Sequence, residues 1–266
     1  MIFTVLLIRS SLYTMSILDK VWNSKIVCSF TYKQNKQPDN SVFILIHRNS
    51  YILSVLPEVF NYFQIPESKI PYLTLSIDGK EIDWSIPTDI LHNIYAYGNH
   101  LYLTIEISKL PSTSLISSSS SFSELNSLLE KFWHNKLKES CYILNNSSNI
   151  VMSMSIKQST EFWNSVINYD YKTFETYFKK LTNSLLNIPC KVYIVNELKL
   201  YEMKQLNLSG LNFNNSKLSI IFDKLSIPEN FNIYCHGIQL PIDSPIWEVY
   251  LLLKHFDTFI HLAIKP

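Results

Sequence analysis

Apolar and polar residues alternate with the period of two that β-strands require in two widely separated parts of the chain. In the first part, strand patterns at 27–32 and 42–46 form a hairpin, and a helical pattern with a proline in its first turns follows at 52–64. A strand, an Asp-Gly turn, a short strand at 81–84 and a short helix then lead to a last strand at 101–107. The predicted order of elements is ββαββαβ.

The last part of the chain, residues 188–266, repeats this order, from the hairpin "CKVYIV" and "KLYEMKQLNL" to the final strand "FIHLAI". The stretches "DGKEIDWSIP" and "HGIQLPIDSP" correspond, because each places a Gly eight positions before a Pro and 22 positions before the final strand. Gly79 and Gly237 are therefore predicted to occupy the same turn, with positive φ, in two copies of one module.

A helical section is predicted between the two modules. The tract "STSLISSSSSF" is too polar to pack and is typical of a flexible linker. Ser121 and Glu124 form a capping-box pattern that opens a long helix, and further helical pattern is broken near Asp170, which can act as an N-cap. The predicted domains are an N-terminal extension and helix at 1–19, the first module at 20–110, the linker at 111–121, the helical section at 122–187 and the second module at 188–266.

Composition and charge narrow the function classes. The net charge of +1, with 17% charged residues, gives no basic field to steer the chain onto nucleic acid. The four cysteines are scattered without a CxxC pair, so we expect reduced thiols in a cytoplasmic protein. No apolar run approaches the roughly 20 residues of a membrane span. The opening "MIFTVLLIRS" lacks the features of a secretory signal and is interpreted as an extension before a segment that begins at Met15, with Ser16 as the N-cap of its helix.

The arrangement of two modules around a helical section resembles a known family. A ββαββαβ unit of this size is the pattern of the ubiquitin-like β-grasp fold, and two of them flanking helices resemble autophagy protein 5. The resemblance runs from about Met15 to Ile264 and rests on the order and spacing of these segments: "DKVW", "FTY", "HRNSYI", "IDGKEIDWSIP", "FWHNKLKES", "EFW", "IPCKVY", "HGIQLPIDSPIWEV" and "FIHLAI". We expect an α+β fold with two ubiquitin-like β-grasp domains flanking a helix-rich domain.

The resemblance implies a scaffold without catalytic residues, and we predict no cofactor. It implies a complex with the ubiquitin-like autophagy protein 12 and binding of a helix of autophagy protein 16. This assembly would bring the conjugating enzyme of autophagy protein 8 to the membrane, where autophagy protein 8 is joined to phosphatidylethanolamine. We therefore expect a cytoplasmic protein, peripherally recruited to the surface of autophagic membranes. Arg48 and Trp22 are expected to contact the partner helix, although Arg48 also suits an edge charge and Trp22 a core position.

One departure from the family pattern concerns the lysine that accepts the C-terminal Gly of autophagy protein 12. Alignment through Trp163 places this acceptor at Asn145, and alignment through "LKES" places it at Leu144. Neither has an amine, and an amide nitrogen is not a nucleophile, because its lone pair is delocalised into the carbonyl. We therefore predict that autophagy protein 12 is held without a covalent bond. Displaced acceptors remain an alternative, through the nearby lysines Lys136, Lys138 and Lys157.

A thiol hydrolase is the alternative from another function class, through Cys235 or Cys141. Cys235 and His236 suggest a thiol–imidazole pair, but neighbours on a strand point to opposite faces and do not easily share a proton. Because a catalytic thiolate has a depressed pKa, a reactive-thiol probe would label it rapidly. No metal is predicted, since five further histidines show no ligand spacing with acids or cysteines; these are His47, His92, His134, His255 and His261.

Overall fold

The computed structural model describes residues 18–33, 40–96, 98–110, 118–182, 187–211, 215–228 and 230–266. These residues form two compact units, one from residues 25–135 and the other from residues 18–24 and 136–266. The chain passes from one unit to the other between residues 24 and 25 and between residues 135 and 136. These positions differ from the predicted domain bounds, which therefore stay a prediction. Three predicted features lie outside the described residues: the cap at Ser16, the hairpin turn at 34–39 and most of the linker, at 111–117.

The unit of residues 25–135 is built on a five-stranded mixed sheet. Its strands are β1 (Lys25–Tyr32), β2 (Asn40–His47), β3 (Leu73–Ile77), β4 (Lys80–Glu81) and β5 (His100–Ile107). They lie in the order β2-β1-β5-β3-β4, with β1 parallel to β5 and the other neighbours antiparallel. The helices are α1 (Leu56–Phe63) and α2 (Thr88–Tyr95), with 3₁₀ turns at Ile52–Val55 and Glu67–Tyr72. This sequence of strands and helices confirms the predicted order of elements.

The other unit contains a second five-stranded sheet with the same topology. Its strands are β6 (Ile188–Val195), β7 (Tyr201–Leu208), β8 (Asn232–Cys235), β9 (Ile238–Leu240) and β10 (Ile260–Lys265). They lie in the order β7-β6-β10-β8-β9, which matches the first sheet strand for strand, and β6 is parallel to β10. The module's helices are α7 (Ser219–Leu225) and α8 (Ile246–Leu253). The repeat inferred from the Gly and Pro spacing is therefore present in the fold.

The two corresponding turns have nearly identical backbones. Asp78 and Gly79 have φ of 51° and 75°, and His236 and Gly237 have φ of 49° and 74°. Positive φ at both central residues is the geometry of a type I′ hairpin turn. The strand predicted after the first turn, at 81–84, is shorter than expected, because β4 ends at Glu81.

The helical section joins the two modules along the chain. Its helices are α3 (Phe122–Asn145), α4 (Asn149–Met152), α5 (Ile156–Ile167) and α6 (Tyr171–Leu181). Ser121 Oγ accepts from the Glu124 backbone N–H at 3.2 Å, but the Glu124 carboxylate accepts from the backbone N–H of Ser120, so the predicted capping box is only half formed. Asp170 caps α6 as predicted, accepting from Thr173 N at 3.1 Å. A complete capping box that sequence reasoning missed opens α5 at Ser155.

The buried stripe of α3 follows helical spacing. Its fully or almost fully buried members are Leu125, Leu129, Trp133, Leu137, Cys141 and Leu144. Leu128 and Phe132 also fall on this helical spacing, but they are only half-buried. Among the described residues, no helix combines the length and apolar character that crossing a membrane requires.

Candidate functional site

Helix α3 ends at Asn145, one of the two positions to which the sequence assigns the missing acceptor lysine. Leu144 is completely buried, whereas Asn145 is half-buried. A residue that must react with a bulky thioester partner needs a solvent-accessible side chain. Asn145 is therefore the position at which an acceptor amine would be accessible, and Leu144 is a core position.

The Asn145 amide closes the ends of two helices. Its Nδ2 donates to the Leu181 carbonyl oxygen at 2.7 Å and to the Cys141 carbonyl oxygen at 3.2 Å. Leu181 is the last residue of α6, where no intrahelical N–H remains for its carbonyl, and Cys141 lies one turn before the end of α3. Asn146 follows with φ of 54°, the left-handed conformation that commonly ends a helix. The side chain at the acceptor position therefore has a structural role.

The nearby lysines differ in how they are held. Lys136 is paired with Glu139 at 3.0 Å, and Lys138 is half-buried. Lys138 precedes Asn145 by seven residues, which is about 10 Å along a helix. The Lys157 side chain is 84% exposed and lies 3.8 Å from Glu161. Lys157 is thus the most accessible of the three candidate amines.

Three exposed apolar side chains lie close to Asn145 along the chain. Tyr142 is 61% exposed and stands three residues before Asn145, on the same side of α3. Met152 at the end of α4 is 61% exposed, and Ile156 at the start of α5 is 88% exposed. Sequence reasoning missed these side chains. The signal for Tyr142 was its place outside the apolar stripe of the helix.

Trp22 lies in a helical turn at residues 18–22 and is almost completely buried. Its Nε1 donates to the Tyr169 carbonyl oxygen at 2.9 Å, and its ring packs against Tyr171 and Phe174 at centroid distances of 5.3 and 4.5 Å. These contacts join the helical turn to α6. Trp22 therefore has a core role, and little of its surface is left for a partner helix.

Arg48 follows β2 and is bound inside its own module. Its Nη1 donates to Asp89 Oδ1 at 3.0 Å and lies 3.3 Å from His92 Nδ1. The Asp89 side chain is completely buried, and that of Arg48 is 15% exposed. A guanidinium has five donors, so this pairing leaves donors for an outside carboxylate, but Arg48 also stabilises the module itself.

The thiols have the properties of structural cysteines. Cys28, Cys141, Cys190 and Cys235 are all free and buried. Burial raises the pKa of the Cys28 thiol to about 12, and burial also raises the pKa of Cys141 and Cys190. High thiol pKa and burial both disfavour a nucleophilic thiolate.

The expectation that Cys235 and His236 point to opposite faces is not met. His236 lies in the type I′ turn, where positive φ breaks the alternation of the strand. Cys235 Sγ and His236 Nε2 both contact the Leu253 carbonyl oxygen, at 3.6 and 3.1 Å. Both side chains are buried, so they are not placed to meet a substrate.

Two family models match the chain. The model described as Autophagy protein ATG5, UblA domain, matches residues 21–109, and the model described as Autophagy protein ATG5, alpha-helical bundle region, matches residues 126–184. Together they match more than half of the chain.

Curated relatives and a solved structure match almost the whole chain. Autophagy protein 5 of Pichia angusta is 29% identical over 273 residues, which cover 95% of this chain and 97% of that protein. Autophagy protein 5 of Debaryomyces hansenii is 26% identical, covering 96% and 97%. The crystal structure of Kluyveromyces marxianus Atg5 superposes with a TM-score of 0.82 at 21% identity, covering 94% of this chain and 99% of that chain. This last match supports the fold class predicted from the sequence.

Proposed function

This chain belongs to the autophagy protein 5 family, which has its role in autophagy, and from that premise we propose that it is a non-catalytic scaffold of the autophagy conjugation machinery. It binds the ubiquitin-like autophagy protein 12 and a helix of autophagy protein 16, and it promotes lipidation of autophagy protein 8. It acts in the cytoplasm, at the surface of the growing autophagic membrane. Imaging of the tagged chain during starvation tests this location, with recruitment to puncta as the expected result and a uniform signal as the contrary one.

The observation that carries the mechanism is the amide at the acceptor position. Asn145 offers no nucleophile, and its Nδ2 is already bonded to two helix-end carbonyls. A covalent tether would supply a high effective concentration of the partner, and without it the free interface must supply the affinity. We infer a non-covalent complex with a dissociation constant that is micromolar or tighter, equivalent to about −8 kcal/mol.

The exposed apolar side chains around Asn145 support such an interface. Tyr142, Met152 and Ile156 are exposed apolar side chains of the helical section, at most 11 positions from Asn145 along the chain, and they make up the proposed binding surface. Large apolar side chains on a surface mark sites where a partner removes them from water. Interfaces concentrate their binding energy in a few such anchors, so we assign autophagy protein 12 to this surface.

A binding titration with purified autophagy protein 12 tests this assignment. Replacing Ile156 with Asp is expected to raise the dissociation constant at least about tenfold, which corresponds to 1.4 kcal/mol. The matched control is Leu198→Asp, because Leu198 is 70% exposed but lies in the β6–β7 hairpin loop of the second module. Equal affinities for wild type and Ile156→Asp would remove this surface from the interface.

Binding of the autophagy protein 16 helix is tested at Arg48. Charge reversal to Glu confuses two effects, since the new carboxylate would face the buried Asp89 carboxylate inside the module. Arg48→Gln keeps hydrogen-bonding capacity and removes the charge, so it is the cleaner variant. We expect weaker helix binding with a reduced salt dependence, provided that thermal unfolding confirms a folded module. Unchanged affinity in a folded variant would contradict a role for Arg48.

The second candidate is a covalent complex through a displaced lysine. The exposure of Lys157, and the position of Lys138 on the same helix as Asn145, favour this alternative. A band at the summed mass on a denaturing gel, lost in Lys138→Arg or Lys157→Arg, would establish it.

A further inference from the structure

Three potential metal ligands meet inside the second module. Cys235 ends β8, His236 stands in the type I′ turn, and His255 follows helix α8. All three side chains are buried, and one ligand atom from each lies within 4.8 Å of the others. The first module, which has the same fold, carries Ile77 and Asp78 where this module carries Cys235 and His236.

The backbone explains why these residues meet. With φ of 49°, His236 leaves the strand alternation and turns its ring toward Leu253, the residue that Cys235 also contacts. The segment after α8 is held by a hydrogen bond from His255 N to the Phe259 carbonyl oxygen at 2.8 Å. This bond places the His255 ring against the His236 ring, with centroids 4.1 Å apart.

We propose that Cys235, His236 and His255 form a zinc site. One thiolate and two imidazoles are ligands that zinc prefers, with bonds of about 2.3 Å to sulfur and 2.0–2.1 Å to nitrogen. Tetrahedral ligation with these bond lengths sets donor atoms about 3.5 Å apart. The 4.8 Å span must therefore contract by side-chain rotations that separate the stacked rings.

The fourth ligand is the Leu253 carbonyl oxygen, which two of the three donors already contact. On binding, the Cys235 S–H bond breaks, the sulfur electron pair forms the metal bond, and the proton leaves to solvent, while His236 carries its ring proton on Nδ1 so that the Nε2 lone pair faces the metal. Because the cluster is buried, zinc enters as the module folds, and its binding free energy adds to folding. His261 lies beside His255 but is held by Asp257 and Tyr193, at 3.0 and 3.1 Å, so we leave it out of the ligand set.

The test is the metal content of the full chain, produced in zinc-supplemented medium and dialysed against a weak chelator. We expect about one zinc ion per chain, falling at least tenfold in Cys235→Ser and His255→Asn. The matched control is Cys190→Ser, a buried cysteine of β6 outside the cluster, which should keep its zinc.

A second measurement covers variants that fail to fold. The wild-type chain refolded with cobalt instead of zinc should show a thiolate-to-cobalt charge-transfer band in the near ultraviolet. That band requires a bound Cys thiolate, and it is measured on the wild-type chain, so the result does not depend on whether any variant folds. Wild-type chain without zinc or the cobalt band, or zinc retained in a folded Cys235→Ser chain, would overturn the proposal. These results leave the proposed scaffold function unaffected.

Discussion

The two β-grasp modules have the same strand order and the same paired turns, yet their polar interiors differ. In the first module the buried Asp89 pairs with Arg48, which keeps 15% of its side chain exposed. In the second module Lys191 and Asp257 lie 3.9 Å apart with exposures of only 6% and 2%. Asp257 also accepts from His261 Nε2 at 3.0 Å.

The two modules share the sequence features that determine their fold and differ in their buried charged residues. The alternation of apolar residues and the turn glycines are common to both modules and produce one topology. The buried charges come from single residues, and their cost depends on whether a partner group can reach water when the pair is broken. The second module should therefore be the more sensitive to loss of a charge.

The largest expected effect is on Asp257. Replacing it with Ala leaves the Lys191 ammonium buried without its carboxylate, and we expect a loss of about 3–5 kcal/mol in the free energy of unfolding. Asp89→Ala should cost less, about 2 kcal/mol, because Arg48 can turn toward water. Urea unfolding of both variants measures the difference. Equal losses would show that the two interiors respond alike.

The turn glycines should instead behave alike. Gly79 and Gly237 have φ of 75° and 74°, and an Ala in this conformation costs about 1–2 kcal/mol. A Cβ added at Gly79 meets no atom within 4 Å, so there the cost is backbone strain alone. Thermal unfolding of Gly79→Ala and Gly237→Ala should show similar shifts. A much larger shift in one of them would contradict the equivalence of the turns.

The edge strands provide a smaller contrast. From Asn40 to His47, β2 carries no Asp, Glu, Lys or Arg and exposes Phe43 and Leu45, whereas the corresponding edge β7 carries Glu202 and Lys204. Uncharged apolar edges promote association between chains. Leu45→Lys should reduce light scattering at high protein concentration with a stability change within about 0.5 kcal/mol, whereas Met203→Lys should change neither. Equal scattering for wild type and Leu45→Lys would argue against an association-prone β2 edge.

The smallest expected effect is on thiol labelling. Cys28 on β1 and Cys190 on the corresponding β6 are both completely buried, and burial raises the pKa of both thiols. With a pKa of about 12 for Cys28, almost no thiolate exists near neutral pH. Neither module should react with a thiol probe until it unfolds. Rapid labelling of one cysteine in the native chain would revive the hydrolase alternative.

The repeated fold could be predicted because its signals are local. Strand alternation and the fixed distance from Gly to Pro are set by neighbouring residues, and they were sufficient for the element order of both modules. The interiors could not be predicted in this way. The partner of the Trp22 indole is the Tyr169 carbonyl, 147 positions away, and no periodicity encodes that pairing.

The candidate site was predictable only in part. Alignment with the family pattern located Asn145, but its bond to the Leu181 carbonyl spans 36 positions and required the fold. The meeting of Cys235 with His236 escaped prediction for a different reason. Strand alternation was applied to a residue whose positive φ places it outside the strand.

The most direct test of the non-covalent scaffold is the intact mass of the complex under denaturing conditions. The chain and autophagy protein 12 are produced together with the conjugation enzymes, purified as a native complex, denatured and weighed. We predict co-elution under native conditions and two separate masses after denaturation. Asn145→Lys restores an accessible amine and should produce the summed mass, whereas Leu144→Lys, at a completely buried position, should not. A summed mass for the wild-type chain would contradict the account.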